Sequence, residues 1–280
     1  IKRLKADSNA ACSVVIAYDS RHKSKEFALE SALVLAENNI KAFLFREIPP
    51  TPLLSYAVRK LRATAGIVIT ASHNPAAYNG YKVYWSDGGQ ITDYHARQIT
   101  ESINLVEDEL KVKFREATEA EEKGLLVWLD DEVFTSYLQR NTELVLNKES
   151  LKSQPRIVYS PLHGTGYRAV TSLLQKIGYN NVFTVEEQVV PDGDFPTVQS
   201  PNPEEHQAFE MALAKAGSID ADIALATDPD ADRLGVAVKD HSGKYIILTG
   251  NQLGALMIDY LLKMRSEKKN LPSNGVIIKT

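Results

Sequence analysis

The sequence predicts an α/β protein made of successive domains with mixed, mostly parallel sheets, and three observations carry that expectation. Short apolar runs such as Gly66–Thr70 and Ile223–Leu225 have the length and composition of strands buried on both faces. Helical patterns separate these runs, and strands that alternate with helices assemble into parallel sheets. The alternation then starts again after Lys148–Pro155, a polar stretch ended by proline that reads as a domain boundary.

Val14–Ala17 is the first expected strand, and Tyr18-Asp19-Ser20-Arg21 turns at its end. Ser24 opens a helix to about Asn38, with Phe27, Ala28, Ser31 and Leu35 on one face and Asn38-Asn39 closing it. Lys41–Phe45 is a strand, and Pro49-Pro50-Thr51-Pro52 stops it before a helix through Lys60. Gly66–Thr70 follows, and Gly80–Trp85 is expected to pair with it as an antiparallel hairpin partner. Asp93–Val106 has an amphipathic helical period, Glu107–Gly124 is a charge-rich helix or solvated connection, and a further helix spans Asp130 to about Leu146.

The second set reads strand Ile157–Ser160, helix Tyr167–Lys176, strand Asn181–Val185, helix Glu204–Ala216 and strand Ile223–Ala226. Pro191–Pro203 is an irregular connection with four prolines. Val236–Lys239 and Tyr245–Leu248 flank a hairpin turn at Asp240-His241-Ser242-Gly243. A helix at Asn251–Met264 and a strand at Val276–Lys279 open what reads as a third unit. The expected division is therefore 1–150, 151–245 and 246–280.

Chemistry gathers where two strands end. After Thr70 come Ala71, Ser72, His73, Asn74 and Pro75, so a hydroxyl, an imidazole and an amide arrive together at the sheet edge where α/β proteins bind ligands. Ser-His-Asn-Pro is also ordinary turn chemistry, since Ser and Asn bond their own backbone and Pro ends a strand. After Ile223–Leu225 comes ATDPDADRLG, in which Asp228, Asp230 and Asp232 recur every second residue between small spacers. In an extended or turning loop that period turns three carboxylates to one side. Such a cluster is either an acidic surface turn or the oxygen shell of a hard divalent cation. An EF-hand is excluded, because counting from Asp228 the obligatory Gly and Glu positions hold Arg233 and Lys239. Asp192 and Asp194 in PDGDF offer only two carboxylates and read as a turn.

Taken together, TASHNP (70–75) and DPDADR (228–233) resemble the phosphoserine and magnesium loops of the α-D-phosphohexomutases, in the phosphoglucomutase branch that also holds phosphopentomutase-like members. Tyr18-Asp19-Ser20-Arg21, Asn79-Gly80-Tyr81-Lys82-Val83-Tyr84 and Ser160-Pro161-Leu162-His163-Gly164 add to the likeness, which runs from end to end. The resemblance implies three-layer domains, a phosphoserine at Ser72, and Mg2+ held by Asp228, Asp230, Asp232 and Ser72 through its phosphate. It implies reversible conversion of glucose 1-phosphate and glucose 6-phosphate through glucose 1,6-bisphosphate, with mannose and pentose phosphates as alternative substrates. His73 and Lys82 are implied in catalysis, Lys82 as acid/base. Asn74, Arg21 and Arg233 are implied in substrate binding, and His163 is read as structural. The family's Gly-Thr-x-Gly-x-Arg segment is missing before the first strand, and its sugar-recognition loop is expected beyond Thr280. The 280 residues alone are accordingly expected to show little isomerase activity.

Composition bounds the alternatives. A net charge of -4 gives no electrostatic footprint for nucleic acid or an anionic membrane. Cys12 is the single cysteine and reads as a core residue, and no apolar segment approaches the ~20 residues of a membrane span. With no secretory leader visible, a reducing cytoplasm fits, and the resemblance implies a small sugar phosphate as the partner. The first residue is Ile, so the gene product is expected to begin elsewhere. Two other classes stay open: a serine-dependent phosphomonoesterase, and a non-catalytic fragment that binds metal or sugar phosphate.

Overall fold

A computed structural model describes residues 12–147 and 154–278. The first unit runs β1 (Ser13–Tyr18), α1 (Ser24–Glu37), β2 (Lys41–Phe45), α2 (Thr51–Lys60), β3 (Ala65–Ile69), β4 (Tyr81–Trp85), α3 (Asp93–Ile103), α4 (Ala117–Glu122), β5 (Leu126–Leu129) and α5 (Asp131–Thr142). Its sheet has the order β4-β3-β1-β2-β5, parallel throughout except for β4. β1 lies in the middle, and alternate residues of this strand feed two cores. Val14, Ile16 and Tyr18 pack with Ala28, Ala32 and Ala36 of α1. Val15 and Ala17 pack with Leu53, Leu54, Ala57 and Val58 of α2 and with Val133 of α5. A strand covered on both sides has no wet face, which is why SVVIAY is apolar almost without interruption. The alanines of α1 let that helix lie close on the sheet, and α2 starts at Thr51 with Pro52 in its first turn, where a missing N–H costs nothing.

The second unit runs β6 (Ile157–Ser160), α6 (Gly166–Lys176), β7 (Val182–Thr184), α7 (His206–Ser218), β8 (Ile223–Thr227), β9 (Leu234–Lys239), β10 (Tyr245–Leu248) and α8 (Gly250–Glu267). Its sheet is β10-β9-β8-β6-β7, with β6, β7 and β8 parallel and β9 and β10 antiparallel additions. Val158, Ala224, Ala226 and Ala237 pack against Ala208, Phe209, Ala212 and Ala216 of α7. Both units are thus α/β with mixed, mostly parallel sheets.

The elements depart from expectation in five places. β5 has no counterpart among the expected strands, although Leu125–Leu129 is an apolar run after Gly124; it joins the edge of the first sheet beside β2. The helix expected to reach Val106 ends at Ile103, and the one expected to reach Leu146 ends at Thr142. β10 pairs with β9, so residue 246 falls inside a strand of the second sheet. Of the strand expected at Val276–Lys279, Lys279 lies outside the described residues, and 276–278 form no strand: they lie exposed, with no strand beside them to bond among the described residues. The boundary expected at 150/151 lies outside the described residues.

Candidate active site

Each sheet reverses its strand order once, and both reversals deliver chemistry. In the first sheet β2 lies on one side of β1 and β3 on the other; in the second, β7 and β8 flank β6 in the same way. At such a switch point the two loops leaving the strand ends diverge and open a crevice. The loops concerned are 19–23 and 70–80 in the first unit, and 161–165 and 228–233 in the second.

The structure brings these loops together. Ser72 is 7% exposed, and its Oγ donates to Asp228 Oδ2 at 2.7 Å across 156 residues of sequence. The hydroxyl is aimed by a left-handed backbone at Ser72 (φ 53) and by its N–H, which donates to Thr70 Oγ1 at 2.8 Å. A non-glycine residue there carries backbone strain of about 1 kcal/mol or more, which surrounding contacts must offset.

On the other side, ligand atoms of Asp228, Asp230 and Asp232 all lie within 4.8 Å of one another; Asp228 and Asp230 are buried and Asp232 is exposed. Asp228 Oδ1 accepts from the Arg233 N–H at 3.0 Å. Asp230 Oδ2 accepts from Lys82 Nζ at 3.0 Å and from Thr51 Oγ1 at 3.3 Å, while Asp230 Oδ1 is buried with no partner. The loop is held by backbone bonds from Thr51 N to Asp230 O and from Thr165 N to Pro229 O, both 2.8 Å. Gly164 makes the second possible, since a Cβ there would stand 2.4 Å from Pro229 Cα.

Electrostatics then say what the cluster would accept. Burial first, then the Asp230 charge, pushes the Asp228 carboxyl up to about 8. Burial also raises Asp232, with Asp230 adding to it. Burial opposes ionisation of Asp230 as well, but Lys82 and the hydrogen bonds to it bring that group below the usual carboxylate range. One ammonium thus serves a cluster of carboxylates, and a buried pair of them shares a proton unless a cation replaces it. An all-oxygen donor set with an orphaned buried oxygen fits a hard divalent cation.

The other sequence candidates fall into two groups. His73 is part-buried; burial, then Arg233, lowers its pKa, so the imidazole is neutral near pH 7. Asn74 and Arg233 are exposed beside the cluster loops. Arg21 is the correction: its side chain is 0% exposed and its donors are committed to the protein, so it does not present a guanidinium to substrate. His163 bonds Val190 O at 3.1 Å and Thr197 Oγ1 at 2.9 Å, the structural role expected. Thr51 and Thr70 are absent from the sequence candidates; a threonine before Pro52 shows only a helix start, and its partner lies 179 residues away.

Two family models cover most of the chain: phosphoglucomutase/phosphomannomutase alpha/beta/alpha domain I matches residues 1–109, and domain II matches 133–243. The chain belongs to the phosphoglucomutase/phosphomannomutase family. A phosphoglucomutase of Staphylococcus haemolyticus is 39% identical over 268 residues, 96% of this chain and 48% of the relative. One of Staphylococcus epidermidis is 41% identical over 250 residues, 89% of this chain and 45% of the relative. The chain spans about half the length of the curated relatives it matches. Among solved structures, a candidate phosphomannomutase from Thermus thermophilus superposes with a TM-score of 0.74 at 28% identity, over 91% of this chain and 54% of the other. Membership of the family makes the chain a phosphohexomutase homologue with a paired serine and acid loop, and among the described residues no helix is long and apolar enough to cross a membrane.

Proposed function

We propose that this chain carries the phosphoserine and metal loops of a phosphoglucomutase, interconverting glucose 1-phosphate and glucose 6-phosphate in the cytoplasm. The 2.7 Å approach of Ser72 Oγ to Asp228 supports it most directly. Phosphoglucomutase relatives at about 40% identity support the glucose reading over mannose or pentose phosphates.

In this reading the Ser72 Oγ–phosphorus bond breaks as a sugar phosphate hydroxyl forms a bond to the same phosphorus, giving glucose 1,6-bisphosphate. The bisphosphate turns over and its other phosphoryl group returns to Ser72 Oγ. A free serine hydroxyl is a poor nucleophile at neutral pH, so its surroundings must activate it. Asp228, Asp230 and Asp232 would hold Mg2+ with an oxygen of the Ser72 phosphate, and the bound ion supplies withdrawal of charge from the phosphoryl oxygens. Lys82 exchanges the proton of the sugar hydroxyl; its side chain is 24% exposed, so Nζ reaches the crevice while resting on Asp230. His73 and Asn74 donate to phosphoryl or sugar oxygens. Arg233, exposed at the end of the acid loop, binds the distal phosphate in the bidentate manner open to a guanidinium.

The test is to supply glucose 1-phosphate, mannose 1-phosphate and ribose 1-phosphate with Mg2+ and catalytic bisphosphate, following isomer formation, free phosphate and the phosphorylation state of Ser72 by mass spectrometry. Glucose 6-phosphate formation that needs Ser72 is expected from the whole protein. The 280-residue chain alone is expected to accept a phosphoryl group at Ser72 and to isomerise slowly. Release of free phosphate without isomer would instead make it a phosphomonoesterase, and a Ser72 that never labels would refute the reading.

A further inference from the structure

The segment that aims Ser72 is itself held by one buried side chain. Arg21, 3% exposed, lies just past the end of β1, and its guanidinium sits inside the curl of the 72–78 loop. Nη2 donates to the carbonyls of Ser72 at 2.6 Å and Asn74 at 2.5 Å, and Nη1 donates to those of Pro75 and Tyr78, each at 2.9 Å. Nε faces Asp19 Oδ2 at 3.2 Å as an ion pair. A guanidinium has five N–H donors in a rigid plane, and here four go to loop carbonyls while the fifth faces its own carboxylate. Asp19 is fixed in turn, its Oδ1 accepting from Ser24 Oγ at 2.7 Å and from the Arg21 N–H at 3.0 Å.

The second unit closes the far face of this cation. Phe195, 2% exposed, places its ring 4.9 Å from Arg21 Cζ. The turn that brings it there, Pro191–Phe195, comes so near the first unit that a Cβ at Gly193 would lie 2.8 Å from His22 N and 2.9 Å from Ser20 O. His22 Nε2 and Asp194 Oδ1, 2.7 Å apart, mark the solvent edge of the same junction. The PDGDF segment, which the sequence presents as a plain turn, is therefore where the second unit presses on the residue that shapes the Ser72 loop.

We infer that Arg21 is the positioning residue for the phosphoryl-accepting serine: by threading four carbonyls of the 72–78 loop and resting on Phe195, it fixes both the left-handed backbone at Ser72 and the distance between the two units. This rests on the proposed phosphoryl transfer for its catalytic consequence, though not for its structural one. A loop carbonyl set converging on one point repels itself without a cation at the centre. Lysine restores the charge but not the plane, since one ammonium has three donors and no fork.

Arg21→Lys and Phe195→Leu separate the possibilities in the complete protein. Hydrogen exchange of amides in 71–80, measured without metal or substrate, is expected to speed about tenfold or more in Arg21→Lys while the remaining strands keep their protection. Labelling of Ser72 by glucose 1,6-bisphosphate with Mg2+ is expected to slow by about 10²-fold in Arg21→Lys, because misplacing a reacting group by about 1 Å has that effect, with the half-saturating bisphosphate concentration changed less than about threefold. Phe195→Leu is expected to fall between wild type and Arg21→Lys on both measures. Arg21→Ala should regain labelling when ethylguanidinium is added. Unchanged exchange in 71–80 overturns the inference. Labelling at the wild-type rate despite a lowered melting temperature also overturns it, since that is a purely structural residue. A wild-type protein that is never labelled refutes the phosphoryl-transfer reading instead, and exchange then decides the clamp by itself.

Discussion

Gly164→Ala tests the joint between the β6 loop and the acid loop without touching any candidate ligand. The added Cβ would lie 2.4 Å from Pro229 Cα, 2.5 Å from Pro229 O and 2.8 Å from Pro229 C, all backbone atoms that no side-chain rotation moves away. Ordinary contact begins at 3.4 Å, so the two loops must separate by about 1 Å. Pro229 lies between Asp228 and Asp230, and the shift carries both. The 2.7 Å bond from Ser72 Oγ to Asp228 stretches beyond hydrogen-bond range, and the Thr165 N–H loses the Pro229 carbonyl. Overpacking of this size destabilises by about 1–3 kcal/mol, and misplacement by about 1 Å slows a positioned reaction by about 10²-fold. The assays are urea unfolding and the rate of Ser72 labelling by the bisphosphate. Gly217→Ala is the control: its added Cβ meets nothing within 4 Å in α7, so stability is expected to hold or rise by up to about 1 kcal/mol. A Gly164→Ala protein with wild-type stability and wild-type labelling would refute the placement of the two loops.

Lys82→Met removes the proposed acid/base and the Asp230 partner together; Ser72 is expected to remain labelled while turnover falls by about 10²- to 10⁴-fold, and unchanged turnover in a coupled assay takes Lys82 out of the scheme. Metal dependence follows from Asp228, held at about 8 when folded against 3.8 unfolded. A carboxyl raised on folding stabilises fully below its unfolded pKa and loses that contribution as pH rises to the folded value, so the melting temperature of EDTA-treated protein is expected to fall between about pH 4 and about pH 8. Millimolar Mg2+ should reverse the fall, and a pH-independent melting curve indifferent to Mg2+ would count against the cation site. His22 is raised above its ordinary 6.5 by Asp194, so whatever it contributes is complete below about pH 6.5 and disappears as pH passes the folded value. In Asp194→Asn its imidazole NMR signals are expected to titrate closer to 6.5, and an unmoved midpoint would mean that the pair does not form in solution.

What a sequence can reveal depends on whether the signal is local. Apolar runs that must be dry on both faces mark β1, β3 and β8 by themselves, and a two-residue period of aspartates around Pro229 and Ala231 announces a shared direction whatever the fold. β5 is hidden because four residues, LVWL, are too few to show a period and follow a charged stretch. Arg21 misleads for a different reason. At a strand end an arginine looks like a surface or phosphate-binding cation, and only the curl of a loop more than fifty residues later converts its environment into four carbonyls. Thr51 and Lys82 pose the same difficulty, since their meaning depends on Asp230, 179 and 148 residues away. Chemistry carried by one loop is readable in sequence; chemistry made by docking two sheets is not.

That distinction explains how the site works as a unit. The acid loop belongs to the second sheet, yet the side chains that donate to its buried carboxylates come from the first: Ser72 to Asp228, and Lys82 and Thr51 to Asp230. Two nearly fully buried carboxylates are tolerable only with such donors or a cation, because burying an unpaired charge is strongly unfavourable. The docking of the units and the ionisation of the acid loop are therefore one equilibrium. Separating the sheets returns water to Asp228 and Asp230 and abolishes the crowding that would favour a divalent ion, and in the proposed function such an ion would draw Ser72 toward the same point. On the proposed function the serine and the three acids would act only together, and the contacts that fix their separation lie behind the crevice, at Gly164 against Pro229 and at Phe195 against Arg21.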